Sequence, residues 1–341
     1  MSLNEFLHLG NWDQSNRHRF LRLWALFSLL GTLGLFQLTG FCQSWPNKPI
    51  KWVVPFPAAG GTDAVARALA NQLAQILKQP VVVDNRSGAN GLIGAEVVAH
   101  ALPDGYTVLM TIASHSIAPA IYKQLPYDTD KDFMAVSLVA KYPYLITVPL
   151  SLPVTSFKEF IDYVKHHPDQ VSFASSGTGS GPHLGMELLQ DAAGLSMIHI
   201  PYKGAAPANN DLIGGQVQAM LNNLMAGSSL IKANKLKVLA VTSLSRSSAL
   251  PEVPTVAESG FPNFEVVGWY GVFLPAKTPM AIVNGLSEAI KLALKDKELL
   301  NRLSKDGAIP VGSTPREFTD FFSADKAKWQ KVSNKLNITL D

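Results

Sequence analysis

Cysteine is nearly absent: Cys42 is the only one among 341 residues. It closes an apolar N-terminal stretch, so a chain cut just after it has none. Such a chain has no disulfide, no thiolate metal site and no cysteine nucleophile. Charge is scarce as well. Asp, Glu, Lys and Arg supply 16 % of the residues against 47 % hydrophobic ones, and the formal net charge is +3. No dense basic cluster follows residue 22, and aromatics do not interleave with lysines and arginines, so the footprint of a nucleic-acid binder is missing. The composition is globular rather than disordered, and the length allows two domains or one large one.

Catalytic signatures are missing too. There is no Gly-x-Ser-x-Gly elbow and no His-Glu-x-x-His metal motif. The eight histidines are scattered, and the one adjacent pair, His166-His167, falls at a helix end. A Ser/His/Asp triad assembled from distant positions stays open. No glycine-rich loop carries the Gly-Lys-Ser/Thr of a Walker motif or the spacing of a dinucleotide fingerprint. No catalytic residue, metal or cofactor is therefore assigned.

One long uncharged apolar run is present, Leu23–Leu38, behind a basic flank of Arg17, His18, Arg19 and Arg22. Its length suits the core of a signal peptide better than a bilayer span. Cys42 and Ser44 fit the −3 and −1 positions of a leader-peptidase site. The expectation is a signal peptide over residues 1–44, cleaved after Ser44, and a periplasmic product. An uncleaved anchor is the alternative. A lipoprotein is disfavoured by Phe41 before the cysteine, and a twin-arginine signal by the lack of an adjacent arginine pair. The long stretch ahead of Arg17 leaves a start codon further in open.

From residue 45 strands and helices alternate. Ile50–Pro55, Pro80–Asp84 and Tyr106–Thr111 read as strands. Thr62–Lys78 and Leu92–Ala101 read as the helices between them, a βαβαβ series with a largely parallel sheet. A second series starts near Leu145–Pro149, with strands at Val171–Ala174, Met197–Ile200, Val217–Leu221 and Lys237–Val241. Ser156 with Glu159, and Thr314 with Pro315 and Glu317, mark helix starts. Phe264–Leu274 reads as a long strand returning to the first series. The predicted fold class is α/β and two-lobed, each lobe a mostly parallel sheet flanked by helices, with a ligand cleft between them. Lobe 1 takes residues 45–146 plus 262–341, and lobe 2 takes 147–261.

Two strand-to-helix loops carry the chemistry. The first is Pro55-Phe56-Pro57-Ala58-Ala59-Gly60-Gly61-Thr62-Asp63. Small residues admit a ligand to the backbone, and the free N–H groups of a helix start favour a carboxylate or phosphate. Thr62 or Asp63 serves equally well as a simple cap. The second is Ser175-Ser176-Gly177-Thr178-Gly179-Ser180-Gly181-Pro182-His183, rich in hydroxyls and free N–H groups. Ser114-His115-Ser116, after the third strand, is a third candidate; His115 either binds ligand or orients its loop. In the Asn85–Gly91 turn the glycines serve chain geometry more than ligand contact. Ligands of open α/β sheets sit at the carboxyl ends of strands.

At these loops the chain resembles the Bug family, the extracytoplasmic solute-binding receptors of tripartite tricarboxylate transporters. The resemblance runs from about Trp45 to the C-terminal helix. It rests on Trp45-Pro46, Pro55–Asp63 with Arg67, Asn85 with Gly88–Gly91, Pro103–Tyr106, Ser175–Ser180 with His183-Leu184, Pro201–Gly204, Pro254-Thr255 and Trp269–Gly271. It implies a periplasmic binding protein that closes on a small carboxylate, and membrane partners made of a large and a small integral subunit. Ala59, Gly60, Thr62 and Asp63 in the first lobe carry over as ligand residues, with Ser175, Thr178, Ser180 and His183 in the second. Phe56, Gly61, Ser114, His115, Gly179 and Asn222 complete the candidate set. Asn222 stands where the family usually has an aspartate, so a contact to a ligand amine there is in doubt. A monomer is expected. A sensory co-receptor for a membrane kinase and an exported α/β hydrolase are the rival readings.

Overall fold

Strand order in the computed structural model, which describes residues 45–305 and 307–340, follows from one long strand. The expected leader and its cleavage point lie outside the described residues. The chain begins with β1 (Ile50–Val54), α1 (Gly61–Leu77), β2 (Val81–Asn85), a short 3₁₀ turn (Ala89–Gly91) and α2 (Leu92–Ala99). Next come β3 (Thr107–Ile112), α3 (Ser114–Ile121) and β4 (Phe133–Pro149). A second run follows: α4 (Phe157–His166), β5 (Ser172–Ser175), α5 (Gly181–Ala193), β6 (Ile198–Pro201), α6 (Ala205–Ile213), β7 (Ala219–Asn223), α7 (Leu224–Lys232) and β8 (Leu236–Val241). The chain then returns through β9 (Val267–Pro275), α8 (Met280–Ala293), α9 (Lys297–Lys305), β10 (Ile309–Pro310) and α10 (Pro315–Leu336).

The sheet runs β2-β1-β3-β9-β4-β7-β5-β6, with β8 and β10 also on β4. β4 is 17 residues long. Its first part pairs antiparallel with β9, from Phe133 opposite Pro275 to Pro143 opposite Val267. From Tyr144 onward it pairs with β7, and from Leu145 with β8. Each half contributes three parallel strands, β2-β1-β3 and β6-β5-β7. β9 and β4 join these triplets antiparallel, so the largely parallel sheets read from the sequence are mixed in fact. The result is a two-lobed α/β fold.

The helices form for ordinary reasons. In α1, Val65, Ala66, Leu69, Ala70 and Leu73 fall on one stripe and are buried. α10 opens on a complete capping box between Thr314 and Glu317, with Pro315 in its first turn, as the sequence predicts. Ser156 caps α4 by accepting from Glu159 N, while the Glu159 carboxylate turns to Thr155. α10 packs Phe318 and Phe322 against Trp269 and Phe273 of β9, burial worth about 2–3 kcal/mol for each ring. Asp325, on the same helix, is buried; its Oδ2 accepts from Trp269 Nε1 at 3.0 Å and lies 2.6 Å from Ser116 Oγ. It ties α10 to β9 and α3 at once.

The first loop is fixed by a buried carboxylate. Asp63 Oδ2 accepts from Ala59 N and from Arg67 Nε, both at 2.9 Å, and Oδ1 accepts from Asn85 Nδ2 at 3.0 Å. Asn85 Nδ2 also donates to the Phe56 carbonyl at 3.0 Å. Burial by itself would raise the Asp63 pKa; the Arg67 side chain, Asn85 and the Ala59 N–H outweigh it and hold the carboxyl below the ordinary 3.8.

Two outcomes are expected. Asp325→Ala leaves the Trp269 N–H without its acceptor and costs about 2–3 kcal/mol. A urea titration reads this as a lower midpoint at unchanged m. Asp63→Asn is less stable than the parent at neutral pH. Because the folded pKa of Asp63 lies below its unfolded one, its contribution is present above the unfolded pKa and lost as pH falls through the folded value. Thermal unfolding across pH therefore shows the gap between parent and variant closing only in the acid range below about 4.

Candidate functional site

The carboxyl ends of the strands converge on one cavity of about 620 Å³. Pro55 enters it just after β1, Ile112 at the end of β3, Ser176 after β5, Lys203 after β6 and Asn223 at the end of β7. Each of these connections leads toward a helix, so helix amino ends face the same space. The N-cap residues of four helices line it: Gly91 of α2, Ala113 of α3, Ser180 of α5 and Gly204 of α6. Asn223, the residue directly ahead of α7, lines it as well. Unpaired N–H groups and the positive ends of the helix dipoles thus meet in one place. Among the described lining residues there is no carboxylate and no histidine, and Lys203 is the one formal charge.

Apolar rings shape the rest. Phe56, Tyr142 and Tyr144 line the cavity. Tyr142 and Tyr144 lie two apart on β4 and so share a face; their rings are 5.7 Å apart, edge to face. Burial pushes the Tyr144 phenol up to about 12, against a partial offset from its hydrogen bond with Tyr142, so it stays a neutral donor. Gly181 permits this arrangement, since a Cβ there would lie 2.5 Å from Tyr144 Oη.

The second loop is braced from behind by two stacked imidazoles. The rings of His183 and His199 lie 3.8 Å apart at 18°. Gly179 N donates to His183 Nδ1 at 3.1 Å, and Ser175 Oγ lies 2.7 Å from His199 Nε2. Burial, together with the neighbouring His199, lowers the pKa of His183 to about 3; burial lowers that of His199 to about 4. Both rings are neutral at pH 7 and bring no cation to the cavity. Gly179 has φ +77, and a Cβ there would strike Ile121 Cδ1 at 2.3 Å. Its carbonyl accepts from Asn90 Nδ2 at 3.2 Å, so the two lobes touch through this pair of turns.

Among the residues proposed from sequence, the cavity brings together Phe56, Ser114 and Ser180. Ser180 also accepts from His183 N at 3.4 Å, the N-cap bond of α5. Ala59, Gly60, Gly61 and Thr62 stand outside the lining, and Asp63 is spent on the bonds that fix their loop. Ser175, Thr178, Gly179 and His183 build the second loop rather than face the cavity. His115 is a correction to the loop read from sequence. Ser114–Ile121 is helical, and the His115 ring is turned into the core among Phe133, Phe273 and Phe322, at centroid distances of 4.8, 5.1 and 5.6 Å. Burial first, and Lys326 second, lower its pKa to about 3. Asn222 is fully buried against Asn209, and strand alternation gives the cavity Asn223 instead. Sequence reasoning assigned the glycines of the Asn85–Gly91 turn to chain geometry more than to ligand contact, whereas Ser87–Gly91 lines the cavity, and it did not name Tyr142, Tyr144, Lys203 or Gly204 as site residues. The signal for the turn was present, a glycine-rich link directly after a strand.

Comparison with known proteins identifies the family. Residues 65–338 match the model of the tripartite tricarboxylate transporter family receptor. BugT of Bordetella pertussis is 36 % identical over 312 residues, spanning 89 % of this chain and 96 % of BugT. Among solved structures, Rpa4515 of R. palustris with adipate is 36 % identical, aligns over 86 % of this chain and 99 % of its own, and superposes with a TM-score of 0.80. MatC from Rhodopseudomonas palustris with bound malate is 32 % identical over 84 % of this chain and 99 % of its own, with a TM-score of 0.76. The chain belongs to the receptor family of the tripartite tricarboxylate transporters.

Proposed function

We propose that this protein is a periplasmic solute-binding receptor that captures a small carboxylate and hands it to a membrane transporter of a large and a small integral subunit. The observation that carries the reading is the gathering of helix amino ends at a cavity with no acidic side chain among its described lining residues. An anion there is met by backbone N–H groups and hydroxyls. Each charge-assisted hydrogen bond contributes about 1.5–3 kcal/mol. A few together reach the ~8 kcal/mol of micromolar capture. The adipate and malate held by Rpa4515 and MatC support a carboxylate as the ligand class.

In this proposal the chain is exported by a leader over residues 1–44 and works as a monomer without catalysis. The lobes are residues 45–146 with 262–341 and residues 147–261, joined where β4 changes partners and where the chain returns to β9. Phe56, Ser114 and Ser180 touch the ligand. Ala59, Gly60, Gly61, Thr62 and Asp63 hold the first loop's shape, as Ser175, Thr178, Gly179 and His183 hold the second's, and Asn222 anchors the strand end that presents Asn223. Ligand bridging the two lobes shifts the open–closed equilibrium toward the closed form. Among the described residues no helix is long and apolar enough to cross a membrane.

A thermal-shift screen of the chain from Trp45 against carboxylic acids tests the reading. A true ligand at a hundred times its Kd adds about 2.7 kcal/mol of stability. If neutral sugars or cations shift the transition and no acid does, the anion reading is wrong. Gly181→Ala drives a methyl group toward the Tyr144 hydroxyl and is expected to raise Kd by about tenfold or more, the equivalent of about 1–3 kcal/mol of overpacking. Calorimetric titration against the acid found in the screen measures it, and an unchanged Kd would remove the Tyr144 wall from the site.

A further inference from the structure

We propose that Lys203 is the residue by which this cavity tells a dicarboxylate from a monocarboxylate of the same length, an inference that rests on the carboxylate-binding reading above. Lys203 is the one charged side chain among the described lining residues. No described carboxylate pairs with it. Some other lysines are paired, Lys48 with Asp104, Lys158 with Asp162 and Lys335 with Asp191, but what sets Lys203 apart is its place in the cavity lining. An exposed lysine at the edge of a cavity with no acidic residue among its described lining offers its charge to an incoming anion.

Its place in the fold gives it a separate role from the helix ends. Lys203 leaves the carboxyl end of β6 and precedes Gly204, the N-cap of α6, in the half of the sheet built on β5, β6 and β7. The Ser87–Gly91 turn and Ser114 belong to the half built on β1, β2 and β3. The same lining also holds apolar side chains, Phe56, Ile112 and Pro182. One carboxylate on the first lobe's helix ends and an apolar stem along these side chains bring a second carboxylate to Lys203. A monocarboxylate places a methyl group there and leaves the ammonium unpaired. Lysine is a point charge on a flexible stem, so it accepts second carboxylates at more than one chain length. The lost charge-assisted bond corresponds to about ten- to a hundredfold in affinity.

The test is calorimetric titration of the chain from Trp45 with the unbranched α,ω-dicarboxylates from succinate to suberate, each against the monocarboxylate of equal length. The parent is expected to prefer the best diacid over its monoacid by at least about tenfold. Lys203→Met is expected to remove that preference by weakening the diacid while the monoacid changes by less than about threefold. Lys203→Arg is expected to retain the preference. A preference that survives in Lys203→Met, or a loss shared equally by diacid and monoacid, overturns the role given to Lys203. A parent that binds both classes equally well also overturns it while leaving the carboxylate reading intact. A parent that binds none of these acids but does bind a neutral solute fails both.

Discussion

Strand β4 is the constraint on which the rest of the molecule depends. Its 17 residues run unbroken, yet they change neighbours between Pro143, opposite Val267 of β9, and Tyr144, opposite Asn223 of β7. Every other strand then takes its place outward from β4, with β9, β3, β1 and β2 on one side and β7, β5 and β6 on the other. A strand buried on both faces must satisfy its backbone groups from neighbouring strands. β4 does so with four partners in turn, β9, β10, β7 and β8. The two parallel triplets are thereby held with their carboxyl ends facing the same cavity, the place where open α/β sheets bind ligands.

That geometry explains how a protein so poor in charged side chains at its site can receive an anion. Bringing an arginine or a protonated histidine into a half-buried cavity carries a large desolvation cost. Helix ends avoid most of it, because their N–H groups are already oriented and already short of partners. The stacked His183 and His199 follow the same economy. Held neutral by burial, they serve as hydrogen-bond partners that fix the second loop, Gly179 through His183 and Ser175 through His199. Asp63 does the corresponding work in the first loop as an ion, because Arg67 and Asn85 both reach it.

Much of the fold was legible in the sequence for reasons of periodicity and capping. The apolar stripe of α1 and the Thr314–Glu317 box are local signals, and local signals survive folding. β4 was legible only from Leu145 onward. Its first twelve residues include Lys141 and Pro143, which break an otherwise apolar run, and their burial on both faces removes the alternation that marks a strand. The site was half legible. The small residues of both loops announced backbone chemistry, but composition does not say which way a loop faces. Ala59 to Thr62 turned out to be shaped by Asp63 and to stand off the cavity, while the Ser87–Gly91 turn lines it. His115 shows the same limit. Polarity suggested a ligand contact, and only the tertiary arrangement of Phe133, Phe273 and Phe322 shows an imidazole packed as an aromatic.

The two tyrosines join the constraint to the site. Tyr142 lies on the stretch of β4 paired with β9, opposite Gly268, and Tyr144 is the first residue paired with β7. Both face the same cavity, so the change of partners falls within its wall. A rigid-body movement of one lobe against the other must act on the backbone between these rings, since no other strand of the path belongs to both halves. An occupant that touches both rings therefore makes contacts that differ between the two arrangements of the lobes. A ligand shifts a conformational equilibrium only through such differential contacts. In the proposed receptor, the coupling of ligand to lobe closure runs through the strand that builds the site.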